Sequence, residues 1–71
     1  MEVIKYGTKV ESVIGGIIGI ITAISIRESG VSYEVSYFID SEYRSIYLCE
    51  SEFIIHGERN TQKIGFKNET T

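Results

Sequence analysis

The sequence predicts an all-β chain, five short strands curling into a small barrel over residues 1–56, followed by a polar C-terminal tail over residues 57–71. Three observations predict it. No apolar repeat of helical period runs for ten residues anywhere. Val31 to Ile39 (VSYEVSYFI) sets Val31, Tyr33, Val35, Tyr37 and Ile39 against Ser32, Glu34, Ser36 and Phe38, the period-2 alternation of a half-buried strand. Val13 to Ile26 (VIGGIIGIITAISI) draws nine of its 14 residues from Val, Ile and Thr, whose branched Cβ is stiff in a helix and packs well on a pleated surface.

The strands follow in order. Lys9 to Ile14 (KVESVI) alternates well enough for a first strand, and Gly15-Gly16 breaks it. Ile17 to Arg27 forms a long second strand with Ile18, Ile20, Ile24 and Ile26 on one pleat face and Ile17, Ile21, Ala23 and Ser25 on the other. Both faces begin apolar, so a bulge near Gly19 or Thr22 is expected to switch the parity. Glu28-Ser29-Gly30 turns the chain into the third strand, Val31 to Ile39, making a hairpin. Asp40-Ser41-Glu42 is the next turn, Tyr43 to Cys49 the fourth strand, and Phe53-Ile54-Ile55 a short closing strand after Glu50-Ser51-Glu52. Beyond His56 only Ile64 and Phe66 are apolar, too few to pack independently, and the expectation is a mobile tail. Five short strands have unpaired edges, which closure into a barrel removes.

Bulk properties bound the rest. Seventy-one residues make one domain with a single small core, burying about 60% of the surface of the unfolded chain. A hydrophobic content of 42% and the lack of proline argue for a folded unit rather than a linker. The single Cys49 has no intramolecular partner, so packing must hold the fold, and a reducing compartment fits. The net charge is −3, and residues 1–56 carry eight acidic side chains against Lys5, Lys9, Arg27 and Arg44. Affinity for nucleic acid comes largely from cations that displace phosphate counterions, so nucleic acid is an unexpected partner.

The uncharged run Ser12 to Ile26, with Gly15 and Gly19 in G-x-x-x-G spacing, raises the question of a membrane helix. Fifteen residues fall short of the about 20 needed to cross the hydrocarbon core, and the composition favours strand. No membrane span is expected. The N-terminal MEVIKYGTK lacks an apolar signal core, and the expected localisation is cytoplasmic.

Gly16 to Ile24 (GIIGIITAI) resembles the G-x-x-G-x-V-x-x-I core of small SH3-like barrels of the KOW and Tudor type. Tyr33 to Tyr37 (YEVSY) and Glu50 to Phe53 (ESEF) resemble the strand and the turn that follow in those barrels, so the resemblance covers about residues 7–55. It implies a bend at Gly19, core positions at Ile21, Ile24 and Val35, a plug at Phe53, and a binding module that holds its partner on loops or one face. Short acidic barrels among uncharacterised phage and mobile-element proteins look similar. The loops depart from an RNA-binding KOW pattern, because they read Glu28-Ser29-Gly30 and Asp40-Ser41-Glu42 and lack basic residues. A Tudor-type cage would need clustered aromatics, for which Tyr6, Tyr37, Phe38, Tyr43 and Tyr47 are the available rings.

No catalytic constellation is visible. One histidine, His56, and one cysteine, Cys49, cannot complete a zinc site within a chain, and no orienting group or oxyanion signature accompanies them. Glu50/Glu52 and Asp40/Glu42 fall in turns where solvated acids are ordinary. Gly15, Gly16 and Gly19 lack the Lys-Ser/Thr of a phosphate loop. No enzyme activity, metal or cofactor is expected. The candidate binding residues are Arg27 and Arg44, isolated cations in an acidic barrel, with Tyr33 and Tyr43 beside them. Ile17 and Ile21 are the candidate interface residues.

Two functions fit. The first is a non-enzymatic binding module that engages a protein partner through a strand edge or loop end, as an accessory protein of a phage or mobile element. The alternative is a homo-oligomer that sequesters a small anionic ligand, such as a nucleotide, between subunits lined by Arg and Tyr. Single-stranded nucleic-acid binding through tyrosines is a minor third.

Overall fold

The computed structural model describes residues 1–64, which form seven strands and one turn of 3-10 helix: β1 Glu2–Ile4, β2 Lys9–Ser12, β3 Ile18–Arg27, β4 Gly30–Ile39, β5 Glu42–Leu48, the 3-10 turn Glu50–Glu52, β6 Phe53–Ile55 and β7 Thr61–Lys63. Five strands make one antiparallel sheet in the order β5-β4-β3-β2-β6, and β1 pairs with β7 in a second, two-stranded sheet. The chain is all-β, as the alternation predicts. β5 and β6 are the two edges of the larger sheet and are not paired with each other, so the closure expected of the five strands is not found among the described residues.

The turns explain the order. Ser12 closes the β2–β3 loop with one hydroxyl: its Oγ donates to the Ile14 carbonyl (2.8 Å) and accepts from the Ile17 N–H (2.8 Å). Gly15 and Gly16, at φ +89° and +61°, take the left-handed conformations that this loop demands. At the β4–β5 turn Asp40 and Ser41 both have positive φ, 52° and 63°, the type I′ geometry that matches strand twist and ordinarily carries glycine in its second position. After β5, the Glu52 carboxylate accepts from the Cys49 N–H (2.7 Å) while the Glu52 N–H donates to the Cys49 carbonyl, fixing the 3-10 turn that redirects the chain into β6. Glu52 thus caps that turn.

The core is Val3, Ile4, Val10, Ile21, Tyr33, Val35 and Phe53, with Ile24, Val31, Ile46, Leu48, Ile55 and Ile64 packed around it. The parity of β3 decides which isoleucines reach it. Ile21 pairs with Val35, Ile24 with Tyr33 and Ile26 with Val31, and the register shifts between Ile21 and Ala23. That bulge at Thr22 moves the inward set from odd to even positions. Gly19 stands two residues before Ile21 on the same face, and a Cβ there would lie 2.5 Å from the Ser36 carbonyl oxygen and 2.7 Å from Val35 Cγ1. Its absent side chain lets β3 and β4 cross closely.

Two segments depart from the sequence expectation. Val3 and Ile4 in β1 are among the most buried residues of the chain, and Thr61–Lys63, inside the stretch expected to be a polar tail, pairs with β1 as β7. Ile64 packs on the core and its N–H donates to the Met1 carbonyl (2.8 Å). Phe66 and the rest of that stretch lie outside the described residues. Among the described residues no helix is long and apolar enough to cross a membrane, and Val13 to Ile26 is a loop and a bent strand.

Candidate functional site

The outward face of the larger sheet divides in two. Above the bulge it is polar: Thr22 Oγ1 donates to Glu34 Oε1 (3.0 Å) and lies 2.9 Å from Ser36 Oγ. Below it the face is apolar. Ile18 and Ile20 of β3, Phe38 of β4, Tyr43 of β5 and Ile54 of β6 all point away from the core and are exposed, Ile20 to 48% and Tyr43 to 83%. Register places them together, since Ile18 and Ile54 both flank Glu11 of β2, and Phe38 is opposite Tyr43. The Phe38 and Tyr43 rings meet edge to face with centroids 4.8 Å apart. Ile18, Ile20, Phe38 and Tyr43 line a shallow depression of about 370 Å³ whose polar rim includes Lys9 and Ser36. A contiguous apolar area rimmed by polar groups is the usual signature of an interaction surface on a small protein.

A second hollow of about 230 Å³ lies between the β2–β3 loop and β5, lined by Val13, Ile14, Ile46, Leu48 and Glu52. A third, about 240 Å³, is polar, with Lys5, Thr8, Lys9, His56 and Glu58 in its wall. His56 Nε2 lies 2.8 Å from Glu11 Oε1, with both side chains more than a third exposed.

The candidate binding residues do not converge. Tyr33 is 3% exposed; its ring packs edge-on against Phe53 (5.6 Å) and its hydroxyl accepts the buried Ile4 N–H (3.1 Å). It ties β1 to the core and cannot meet a ligand. The reason is parity: Tyr33 sits between Val31 and Val35 on the inward face of β4. Arg27 pairs with Gly30 at the tip of the β3–β4 hairpin, whereas Arg44 pairs with Tyr37 at the other end of β4. Seven residues of strand separate them, about 23 Å. Arg44 is also occupied by Glu42 (3.1 Å). Within one chain these arginines do not form a single anion site.

Of the two interface candidates, Ile21 is 1% exposed and belongs to the core, so it cannot meet another chain, and Ile17 is half-buried beside the glycine turn. The bulge at Thr22 hands the exposed role to Ile18 and Ile20. The aromatics form no cage among the described residues: Phe38 and Tyr43 pair, Tyr6 lies beside the polar hollow, and Tyr47 stands four positions from Tyr43 along β5. Glu50 pairs with Arg59 (2.8 Å) and Glu42 with Arg44, so neither carboxylate is a free acid–base partner. Among the described residues no group of three His, Cys, Asp or Glu side chains could hold a metal ion. The exposed apolar area had one clear sequence signal, Phe38, the single apolar residue on the polar side of the Val31–Ile39 alternation. Comparison with protein-family models, curated proteins and solved structures returned no match.

Proposed function

We propose that this chain is a small non-enzymatic binding module of SH3-like architecture that engages a partner protein on its outward face at Ile18, Ile20, Phe38 and Tyr43. The SH3-like reading is supported by the strand order β5-β4-β3-β2-β6, the bent β3 and the 3-10 turn before the last strand. The binding reading is carried by one observation: four large apolar side chains from three strands stay exposed side by side while an equally apolar set fills the core. A protein surface is the partner class that covers such an area, since an apolar centre with a polar rim is the anatomy of a protein interface.

The test is capture from lysate of the source cell on immobilised protein, comparing wild type with Ile20→Lys and with Lys5→Glu as a distant control. A protein retained near one-to-one by wild type and the control, and lost with Ile20→Lys at unchanged melting temperature, supports the proposal. Capture insensitive to Ile20→Lys places the interface elsewhere and overturns it.

A further inference from the structure

The long free edge of the sheet is β5. It pairs with β4 along Glu42–Leu48 and, among the described residues, with no other strand, whereas the opposite edge, β6, is three residues long. Natural edge strands of this length are ordinarily blunted by lysine, proline or a bulge. β5 reads EYRSIYL, has none of these, and its two charges neutralise each other through the Arg44–Glu42 bridge.

The turn fixes which backbone groups face outward. In a two-residue hairpin the closing pair, here Ile39 and Glu42, exchanges hydrogen bonds, and so does every second pair after it. Glu42, Arg44, Ile46 and Leu48 therefore turn their N–H and C=O groups to β4. Tyr43, Ser45 and Tyr47 turn theirs to the open edge, and none of these six groups has a partner among the described residues.

We infer that the occupant of this edge is a second copy of the same chain, its β5 antiparallel to the first about a two-fold axis at Ser45. That register is the one in which all six outward groups of each copy are paired: Ser45 opposite Ser45 of the second copy, and Tyr43 opposite Tyr47 twice. No like charges stand directly opposite, because Arg44 faces Ile46 and Glu42 faces Leu48. The small serines meet on the axis, and the Tyr43–Tyr47 contacts supply the cross-strand aromatic pairs that favour antiparallel sheets. An isologous contact of this kind closes after two subunits rather than propagating. Seven residues of edge and four tyrosines cover less than the about 800 Å² per partner of a tight complex, so the dimer is a reversible one.

Sedimentation equilibrium between about 1 μM and 1 mM protein, spanning the range of weak to moderate affinities, tests the inference on wild type, Ser45→Pro, Ser45→Lys and Ile20→Thr. Ser45 directs its N–H outward, so proline there removes a dimer bond and no β4–β5 bond. Lysine places two like charges on the axis. Wild type and Ile20→Thr are expected to shift from monomer to dimer across the range, and both Ser45 variants to weaken association at least tenfold while unfolding cooperatively. Wild type that stays monomeric at 1 mM, or a dimer unaffected by either Ser45 variant, overturns the inference. Ile20→Thr separates the readings: loss of the captured partner with the dimer intact concerns the outward face alone.

Discussion

The inward and outward faces of the β3–β4 hairpin are built from the same residue types and end in opposite surroundings. Inward, Ile21 and Val35 are fully buried, with Tyr33 and Ile24 packed on them; outward, Ile18, Ile20 and Phe38 are about half exposed or more. Hydrophobicity alone does not distinguish the two sets. Parity does, and parity is set locally, by the missing side chain at Gly19, the bulge at Thr22 and the two-residue turn at Asp40-Ser41. A small chain has one core, so a strand apolar on both faces leaves one apolar face to the solvent or to a partner.

Substitutions on the inward face should have the largest effects. Ile21→Ala removes a buried branched side chain and leaves a cavity, with an expected loss of about 3–4 kcal/mol in urea unfolding. Survival of the variant with less than about 1 kcal/mol lost would place Ile21 outside the core. Gly19→Ala forces a Cβ onto the Ser36 carbonyl and should cost about 3 kcal/mol, because the obstruction is backbone and cannot rotate away. A neutral outcome by thermal melting would mean that β3 and β4 approach less closely than described. Tyr33→Phe keeps the ring against Phe53 and removes the acceptor of the buried Ile4 N–H, for a loss of about 2 kcal/mol. Amide exchange sharpens this case: Ile4 should lose protection before the Ile21 and Val35 amides do.

The five strands of the larger sheet were legible in the sequence, β2 and β4 from their alternation, β3 from its run of β-branched residues, and β5 and β6 from the turns that bound them; the change of parity in β3 was legible because both of its pleat faces begin apolar and one small core covers only one of them. β1 and β7 were not. Val3 and Ile4 are adjacent and both buried, so β1 shows no period of two, and Thr61-Gln62-Lys63 has no apolar residue to mark it. Their pairing depends on contacts between the two ends of the chain, which no local pattern records. The candidate site was legible only in part. Tyr43 could be picked out as an exposed aromatic, but Tyr33 shares its parity with Val31 and Val35, and the separation of Arg27 from Arg44 depends on hairpin register rather than composition. Phe38 was the more informative residue, an apolar side chain where Ser32, Glu34 and Ser36 set a polar face.

By this division of faces, the outward apolar area is surplus to the fold. Urea unfolding of Ile20→Thr/Phe38→Thr tests it most directly, because threonine keeps the strand preference while removing apolar surface. The expected stability lies within about 1 kcal/mol of wild type, the allowance being the lost Phe38–Tyr43 ring contact. A loss as large as that of Ile21→Ala would show that Ile20 and Phe38 hold the fold together, and would contradict the claim.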